Sequence, residues 1–459
     1  MRRLIFTVPA LLVLSLVAGK SFRPSAAQQN RSGATLFIGA RLITDGDRPP
    51  IEDSAFLVEG DKITKVGKRS DVQAPAGAAR VDLTGKTVIP AIVNAHGHLG
   101  FIRDTSFDKG NYTHDNIINQ LKQYAYYGVG AVMTAGTDAG DVTYDLRDHP
   151  APGAALVRTA GRGFARPNAS TGGVAMRDAP YGVDTETEAR KDVQEIAAKK
   201  PDLIKIWVDD RNGTVPKLTP ALYRAIIDEA RKHNIRVMAH EFYLADARDL
   251  VEAGAAGFLH SVRDAEMDDA LVARMKEKNV YITPNLAIGG RNAASQNPPF
   301  YDDSLLAEVY SPAAIAAVRP GAGRGNAAAA PDAQTSYDFQ CRSLAKLKKA
   351  GVTIALGDDS GIQNSFPGYA ALQQMERMHE CGMTEQQVLV AATRTSAQVL
   401  RITDMGSIAP GNQASFVVLD ANPLDNLANA RKISRVYLRG QEIDRPALRA
   451  EFKARWIAK

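Results

Sequence analysis

The feature that most restricts the fold of this chain is an alternation. Between about residues 90 and 404, short apolar runs of strand length recur between amphipathic helical patterns. The runs are VIPAIVNAH, GAVMTA, AALVRTA, DLIKIWV, IRVMAH, AGFLH, VYITPN and VTIALGDD. The helical stretches include TETEARKDVQEIAAKK, TPALYRAIIDEARKHN, EMDDALVARMKEKN and YDFQCRSLAKLKKAG, whose apolar residues recur with a helical period. Eight strands alternating with helices over this length predict an α/β fold, a (β/α)8 TIM barrel, with its active site at the C-terminal ends of the strands.

The flanks read differently. Residues 28–89 are short β runs broken by Gly-Asp, Gly-Lys and Asp-Gly turns, and the same texture returns over residues 405–445. Two such pieces predict one small β-sandwich domain built from both ends of the chain. Residues 446–459 read as a short basic amphipathic helix, expected to pack on the barrel or on a neighbouring subunit. Residues 288–334 are rich in Gly, Asn, Pro and Ala and lack periodicity, which predicts a long loop overhanging the mouth.

At the N-terminus Arg2 and Arg3 precede the apolar run Leu4 to Gly19, and Ser25-Ala26-Ala27 offers small residues for cleavage. The run is short of the ~20 residues that span a bilayer, so residues 1–27 read as a signal peptide and the expected location is periplasmic or secreted. Cleavage removes Arg2, Arg3, Lys20 and Arg23 and lowers the net charge from +5 to +1. That balance argues against nucleic acid or a membrane surface as partner, and no stable membrane insertion is expected after cleavage. Only Cys341 and Cys381 are present. Both fall in helical patterns without metal-ligand spacing, and buried free thiols are the expectation.

The chemistry sits at the strand ends. In NAHGHLG a strand points alternate residues the same way, so His96 and His98 face the barrel lumen together. The other strand ends carry Lys205 in LIKIWV, His240 in VMAHE, His260 in GFLHS and Asp359 in ALGDDS. Imidazole and carboxylate suit zinc and related divalent ions, and four histidines with an aspartate exceed the needs of one catalytic metal with an open position. Two cations about 3.5 to 4 Å apart need an anionic bridge. Lys205, between Ile204 and Ile206, is costly to bury as an ammonium. As a neutral amine it can add carbon dioxide and supply a bridging carbamate; the competing arrangement pairs it with Asp209 or Asp210. Asp358 and Asp359 compete for one metal-facing position, and the spacing favours Asp359.

Together these residues resemble the amidohydrolase superfamily, in its imidazolonepropionase-like branch that includes Xaa-Pro and Xaa-Arg dipeptidases. VIPAIVNAHGHL is similar to the family's strand-one motif, TIALGDDSG to its strand-eight motif and GSIAPGNQASFVVLDANPLDN to its C-terminal motif. The resemblance implies that His96, His98 and Asp359 hold one metal, that His240 and His260 hold a second, that carboxylated Lys205 and hydroxide bridge them, and that Asp359 shuttles the proton. Two divalent ions, with zinc expected, would then serve attack of the bridging hydroxide on the C–N amide bond of a dipeptide or N-acyl amino acid. The alternatives are a mononuclear cyclic amidohydrolase or deaminase and, in a different class, an inactive barrel kept as a binding protein. In STGGVAM, Val174 stands where the family often has histidine, which implies a different substrate. Tyr243, Arg263 and Tyr144, with Tyr112, His114, Arg162 and Trp207, fall in segments that could line the mouth, and an arginine suits a carboxylate-bearing substrate. A small-molecule amide or peptide is the expected partner, and homo-oligomers are compatible with the tail.

Overall fold

The computed structural model describes residues 33–171, 173–293, 299–319, 333–362 and 365–457. The expected signal peptide at 1–27 lies outside the described residues.

The middle of the chain forms two parallel sheets rather than one continuous ring. Ile92–Gly97, Val129–Thr134 and Leu156–Thr159 make a three-stranded sheet with Val129–Thr134 in the centre. Tyr181–Gly182, Phe164–Ala165, Ile204–Val208, Val237–Glu241, Gly257–Phe258 and Tyr281–Ile282 follow one another in a six-stranded sheet. The eighth run, VTIALGDD, does not form a strand. It is tied in by single parallel bridges, Ile282 to Ile354 on one side and Gly97 to Ser360 on the other. The physical reason lies in its own sequence, because Asp359 (φ 51°) and Gly361 (φ 87°) turn the backbone into the left-handed region and end any ladder. The architecture is a TIM-barrel-type α/β fold whose sheets are not closed.

Local signals explain the helices around it. Helix Glu186–Ala198 opens on a capping box, with the Thr185 side chain accepting from the Glu188 amide and the Glu188 carboxylate accepting from the Thr185 amide. Helix Pro220–Lys232 has Thr219 as its cap and proline in its first turn, and buries Leu222, Tyr223, Ile226 and Ile227. The strand between these helices in sequence, Ile204–Val208, is buried at every position. A strand covered on both faces gains burial free energy from each apolar side chain, about 25 cal/mol per Å².

The ends of the chain meet in a second region. A four-stranded sheet contains Lys62–Lys68, Ser54–Glu59, Ala34–Ile38 and Ala79–Asp82 in that order. A five-stranded sheet joins Arg41–Leu42 and Thr87–Pro90 from the N-terminal side to Phe416–Leu419, Ile433–Leu438 and Gln441–Glu442 from the C-terminal side. Phe416 pairs antiparallel with Pro90, and Leu419 with Thr87. Aromatic rings from both sheets share one core: Phe37 stacks on Phe56 at 4.8 Å, Phe416 meets both edge-on, and Tyr437 stacks on Phe416 at 4.7 Å. The C-terminal helix Arg445–Ile457 lies on helix His114–Tyr126, with Phe452 against Tyr126, Lys122 paired with Glu451 and Arg455 with Asp115. Among the described residues no helix is long and apolar enough to cross a membrane.

Two expectations are corrected. Within 288–334, the described residues are short helices and not an open loop: Leu286–Ala293, Ser304–Ala307 and Pro312–Val318, with a 3-10 turn at Pro299–Asp302. Asp303 and Ser311 cap two of them, which are too brief to display a period. Tyr310 donates to the Pro367 carbonyl, and Asp303 accepts from Tyr369 and Arg431, so the segment is fastened to the core. Residues 294–298 and 320–332 of that call lie outside the described residues. Second, Cys341 and Cys381 are not free thiols but a disulfide, because helix Ala333–Ala350 and the end of helix Tyr369–Glu380 bring their Cα atoms to 4.7 Å. The bond closes a 40-residue separation, for which chain entropy predicts a stabilisation of about 4 kcal/mol. Reduction should therefore lower the unfolding free energy by roughly that amount, measured by urea titration with and without dithiothreitol; coincident transitions would contradict it.

Candidate metal centre

The site is assembled where the eighth segment meets the first strand. The amides of both Asp358 and Asp359 donate to the His96 carbonyl, at 3.2 and 2.8 Å, and the His98 amide donates to the Ser360 carbonyl at 2.7 Å. This backbone clamp sets the carboxylate of Asp359 among imidazoles. Its Oδ1 lies 3.3 Å from His96 Nε2 and 3.0 Å from His98 Nε2, and its Oδ2 lies 3.9 Å from His260 Nε2. Asp358 is directed elsewhere, accepting from the Ser360 amide at 2.8 Å. Gly361 is required here, since a Cβ would overlap the His98 carbonyl oxygen.

His96, His98 and Asp359 bring their donor atoms within 4.8 Å of one another, all buried. His96 Nδ1 is 2.9 Å from the Leu259 carbonyl, which can only accept, so Nδ1 carries the hydrogen and Nε2 presents its lone pair. His98 Nδ1 is held by Thr137 Oγ1 at 2.8 Å. His240 and His260 complete the cluster, with ring centroids 4.1 Å apart and the His260 ring 5.2 Å from His96. His240 Nε2 faces Asp209 Oδ2 at 2.9 Å, so this nitrogen carries the hydrogen and Nδ1 is left to ligate.

Lys205 is wholly buried and its Nζ has no hydrogen-bond partner. Space for it is made by Gly136, where a Cβ would come within 2.7 Å of Lys205 Cβ, and Nζ lies 5.0 Å from the Trp207 ring. Neither Asp209 nor Asp210 pairs with it: Asp209 is engaged by His240 and Arg263, and Asp210 accepts from Tyr243 at 2.7 Å. Burial pushes the Lys205 amine down to about 7, against the opposing pull of Asp359 and Glu241. Burial also holds His96 and His260 well below the usual imidazole range and His240 down to about 4, so these rings are neutral at neutral pH. For Asp359 burial acts to raise the carboxyl, but His96, His98 and Lys205 outweigh it and the group stays ionised. Glu241, buried with both oxygens unpartnered, is pushed well above the usual range by burial and is neutral.

This donor set fits divalent cations. A buried carboxylate among imidazoles, with neither Nε2 of His96 nor the amine of Lys205 hydrogen-bonded, leaves lone pairs that a cation would satisfy.

Of the expected mouth residues, Arg263 comes to the cluster, and Tyr243 donates to Asp210. Arg263 Nη2 lies 3.0 Å from His240 Nε2, donates to the Glu241 carbonyl and packs over Phe242 at 4.6 Å. Tyr243 has Lys217 over its ring at 4.7 Å. Tyr144 does not join them: Arg147 and Lys199 flank its ring, and its hydroxyl faces Gly161, beside Ile196. Trp207 is beside Lys205, Tyr112 packs on Phe101, and Arg162 lies over Tyr181 at 4.0 Å. His114 is exposed at the start of its helix. Val174 is 75% exposed, on a segment held by Arg211, which donates to the Ser170 and Thr171 carbonyls. Sequence reasoning missed Asn285, Thr137 and the role of Asp209. Asn285 was discoverable, since it ends the run VYITPN as the histidines end theirs, whereas Asp209 gave no signal until the folded chain set it against His240.

Solved structures share the fold. A Xaa-Pro dipeptidase with methionine in its active site aligns with a TM-score of 0.71 at 21% identity, covering 89% of this chain and 99% of that one. Molinate hydrolase aligns with a TM-score of 0.72 at 21% identity over 91% and 96%. In sequence, the chain is similar to imidazolonepropionase of Streptomyces griseus, 26% identical over 407 residues, covering 86% of this chain and 93% of that protein. The model of the amidohydrolase family matches residues 87–443, from the strand before the first histidine pair to the end of the C-terminal sheet. The chain therefore belongs to the amidohydrolase family, metal-dependent hydrolases that act on C–N bonds.

Proposed function

We propose that this protein is a binuclear amidohydrolase that cleaves the C–N amide bond of a dipeptide or an N-acyl amino acid. The observation that carries the reading is Lys205, an amine buried without a partner beside four imidazoles and one ionised carboxylate. A neutral amine adds carbon dioxide to give a carbamate and one proton, which converts a poorly placed cation precursor into the anion that two adjacent cations require. In this reading His96, His98 and Asp359 hold one ion, His240 and His260 the other, and the carbamate of Lys205 lies between; the histidine and carboxylate set is suited to zinc.

Divalent cations bound there would supply Lewis acidity and make water nucleophilic near neutral pH. The residues of the chain do the rest. Asp359, ionised and held by the backbone clamp, accepts the proton released on attack and delivers it to the departing nitrogen. Asp209 fixes the tautomer of His240, and Thr137 orients His98. Arg263, against His240 and 22% exposed in its side chain, suits the carboxylate of an amino-acid leaving group, and Tyr243 is a second candidate for it. The disulfide supports export to an oxidising compartment, periplasmic or extracellular.

A second reading keeps the fold and changes the reaction: ring opening of a cyclic amide with a single ion on His96, His98 and Asp359. The imidazolonepropionases among the sequence relatives favour it, as does the compactness of that three-residue group. Metal analysis separates the two. The binuclear reading expects two equivalents of zinc and a carbamate resonance on Lys205 in protein labelled with 13C-bicarbonate, and one equivalent with an unmodified amine would refute it. Release of amino acids from a library of dipeptides and N-acyl amino acids, assayed with apo and zinc-loaded protein, then identifies the bond cut.

Lys205→Ala should lower metal content and activity together, by at least about 10- to 100-fold in activity, the loss that follows removal of supporting metal-site partners alone; full activity with both ions retained would refute the bridge. Activation of apo protein by zinc and bicarbonate should slow as pH falls through about 7, the value to which burial brings the Lys205 amine, because the ammonium cannot attack carbon dioxide. A pH-independent activation rate between 6 and 8 would contradict this.

A further inference from the structure

Asn285 is buried to 2% exposure and adopts φ 48°, a left-handed conformation that asparagine tolerates better than most residues. It immediately precedes helix Leu286–Ala293. Its carboxamide meets three groups at once. Nδ2 donates to the Leu259 carbonyl, lies 2.6 Å from His96 Nδ1 and lies 3.3 Å from His260 Nδ1. Its Oδ1 is buried and has no partner. One side chain therefore touches a ring from each of the two ligand groups assigned above, and also the backbone that carries one of them.

An imidazole that ligates through Nε2 needs a partner for the hydrogen on Nδ1. His96 has one in the Leu259 carbonyl. His260 Nδ1 has, among the described residues, only the Asn285 carboxamide within hydrogen-bond distance. As the carboxamide stands, its Nδ2 faces Nδ1 of His260; a half-turn about the Cβ–Cγ bond brings Oδ1 to that place, where it accepts an Nδ1 hydrogen in exchange for the bond to the Leu259 carbonyl.

We propose that Asn285 is a positioning residue that sets the orientation of the His96 and His260 rings together and the tautomer of His260. The proposal rests on the reading that these two histidines ligate metal. Its test uses two variants of the full chain. Asn285→Gly deletes the carboxamide and keeps the left-handed backbone accessible; Asn285→Asp keeps its size and places an acceptor facing the rings. Zinc affinity is measured by competition with a chromophoric chelator, the visible spectrum of the cobalt-loaded protein reports ligand geometry, and urea unfolding of the metal-free proteins checks that both variants are folded.

Asn285→Gly should bind zinc about 10- to 100-fold more weakly at both positions, with an altered cobalt spectrum, and Asn285→Asp should recover most of that loss. Wild-type affinity and spectrum in Asn285→Gly would overturn the proposal. The metal-free protein, labelled with 15N-histidine, gives an independent reading: the ring nitrogens of His96 and His260 should shift in Asn285→Gly, and unchanged ring signals would also overturn the role assigned here. A wild-type protein that takes up no metal would refute the metal reading, while the ring signals would still decide the role of Asn285.

Discussion

Withdrawing so many polar donors from water at one point is the constraint on which the rest of the structure depends. Four imidazoles, an amine and a carboxylate lie together, and all but one have under a tenth of their surface exposed. Burial of this kind is tolerated only when charges are few and matched. The protein meets the condition by keeping His96, His240, His260 and Glu241 neutral and leaving Asp359 as the ionised carboxylate in contact with the rings. That carboxylate is held not by its side chain alone but by backbone hydrogen bonds between its own turn and the His96–His98 segment. The bonds that bring the eighth segment against the first strand are thus the bonds that assemble the centre, and fold and chemistry cannot be perturbed separately there.

The supporting interactions continue the same logic outward. Asp209, Thr137 and Leu259 each take one ring nitrogen, and each fixes which nitrogen faces inward. Arg263 sits against the outermost of these pairs, with Asp209 3.5 Å away as its counter-charge.

The sequence made some of this legible and hid the rest for identifiable reasons. A strand that is buried on both faces writes itself as an apolar run, so Lys205 within Ile204–Val208 and His240 within Val237–Glu241 were conspicuous. The HxH pair was legible through the two-residue period of a strand. Asn285 was passed over because a lone asparagine after proline reads as a turn signal, and here it is that as well. The 288–334 stretch misled because helices of four to eight residues show too few turns to establish a period. The Cys341–Cys381 bridge was invisible because it depends on how two helices lie side by side, which spacing along the chain does not encode.

The sheet shared by Thr87–Pro90 and Phe416–Leu419 has a consequence for heredity as well as for folding. Its N-terminal partner leads within a few residues into the strand bearing His96, with His98 just beyond its end, while its C-terminal partner follows Asp359, the last residue of the buried cluster. The barrel-type region is therefore an insertion within the β region, not a neighbour appended to it. A recombination event that exchanged the β region as a single contiguous cassette would divide this sheet between two ancestries. Lineages of such a chain can diversify freely at the strand-end loops, but the two flanks must be inherited together.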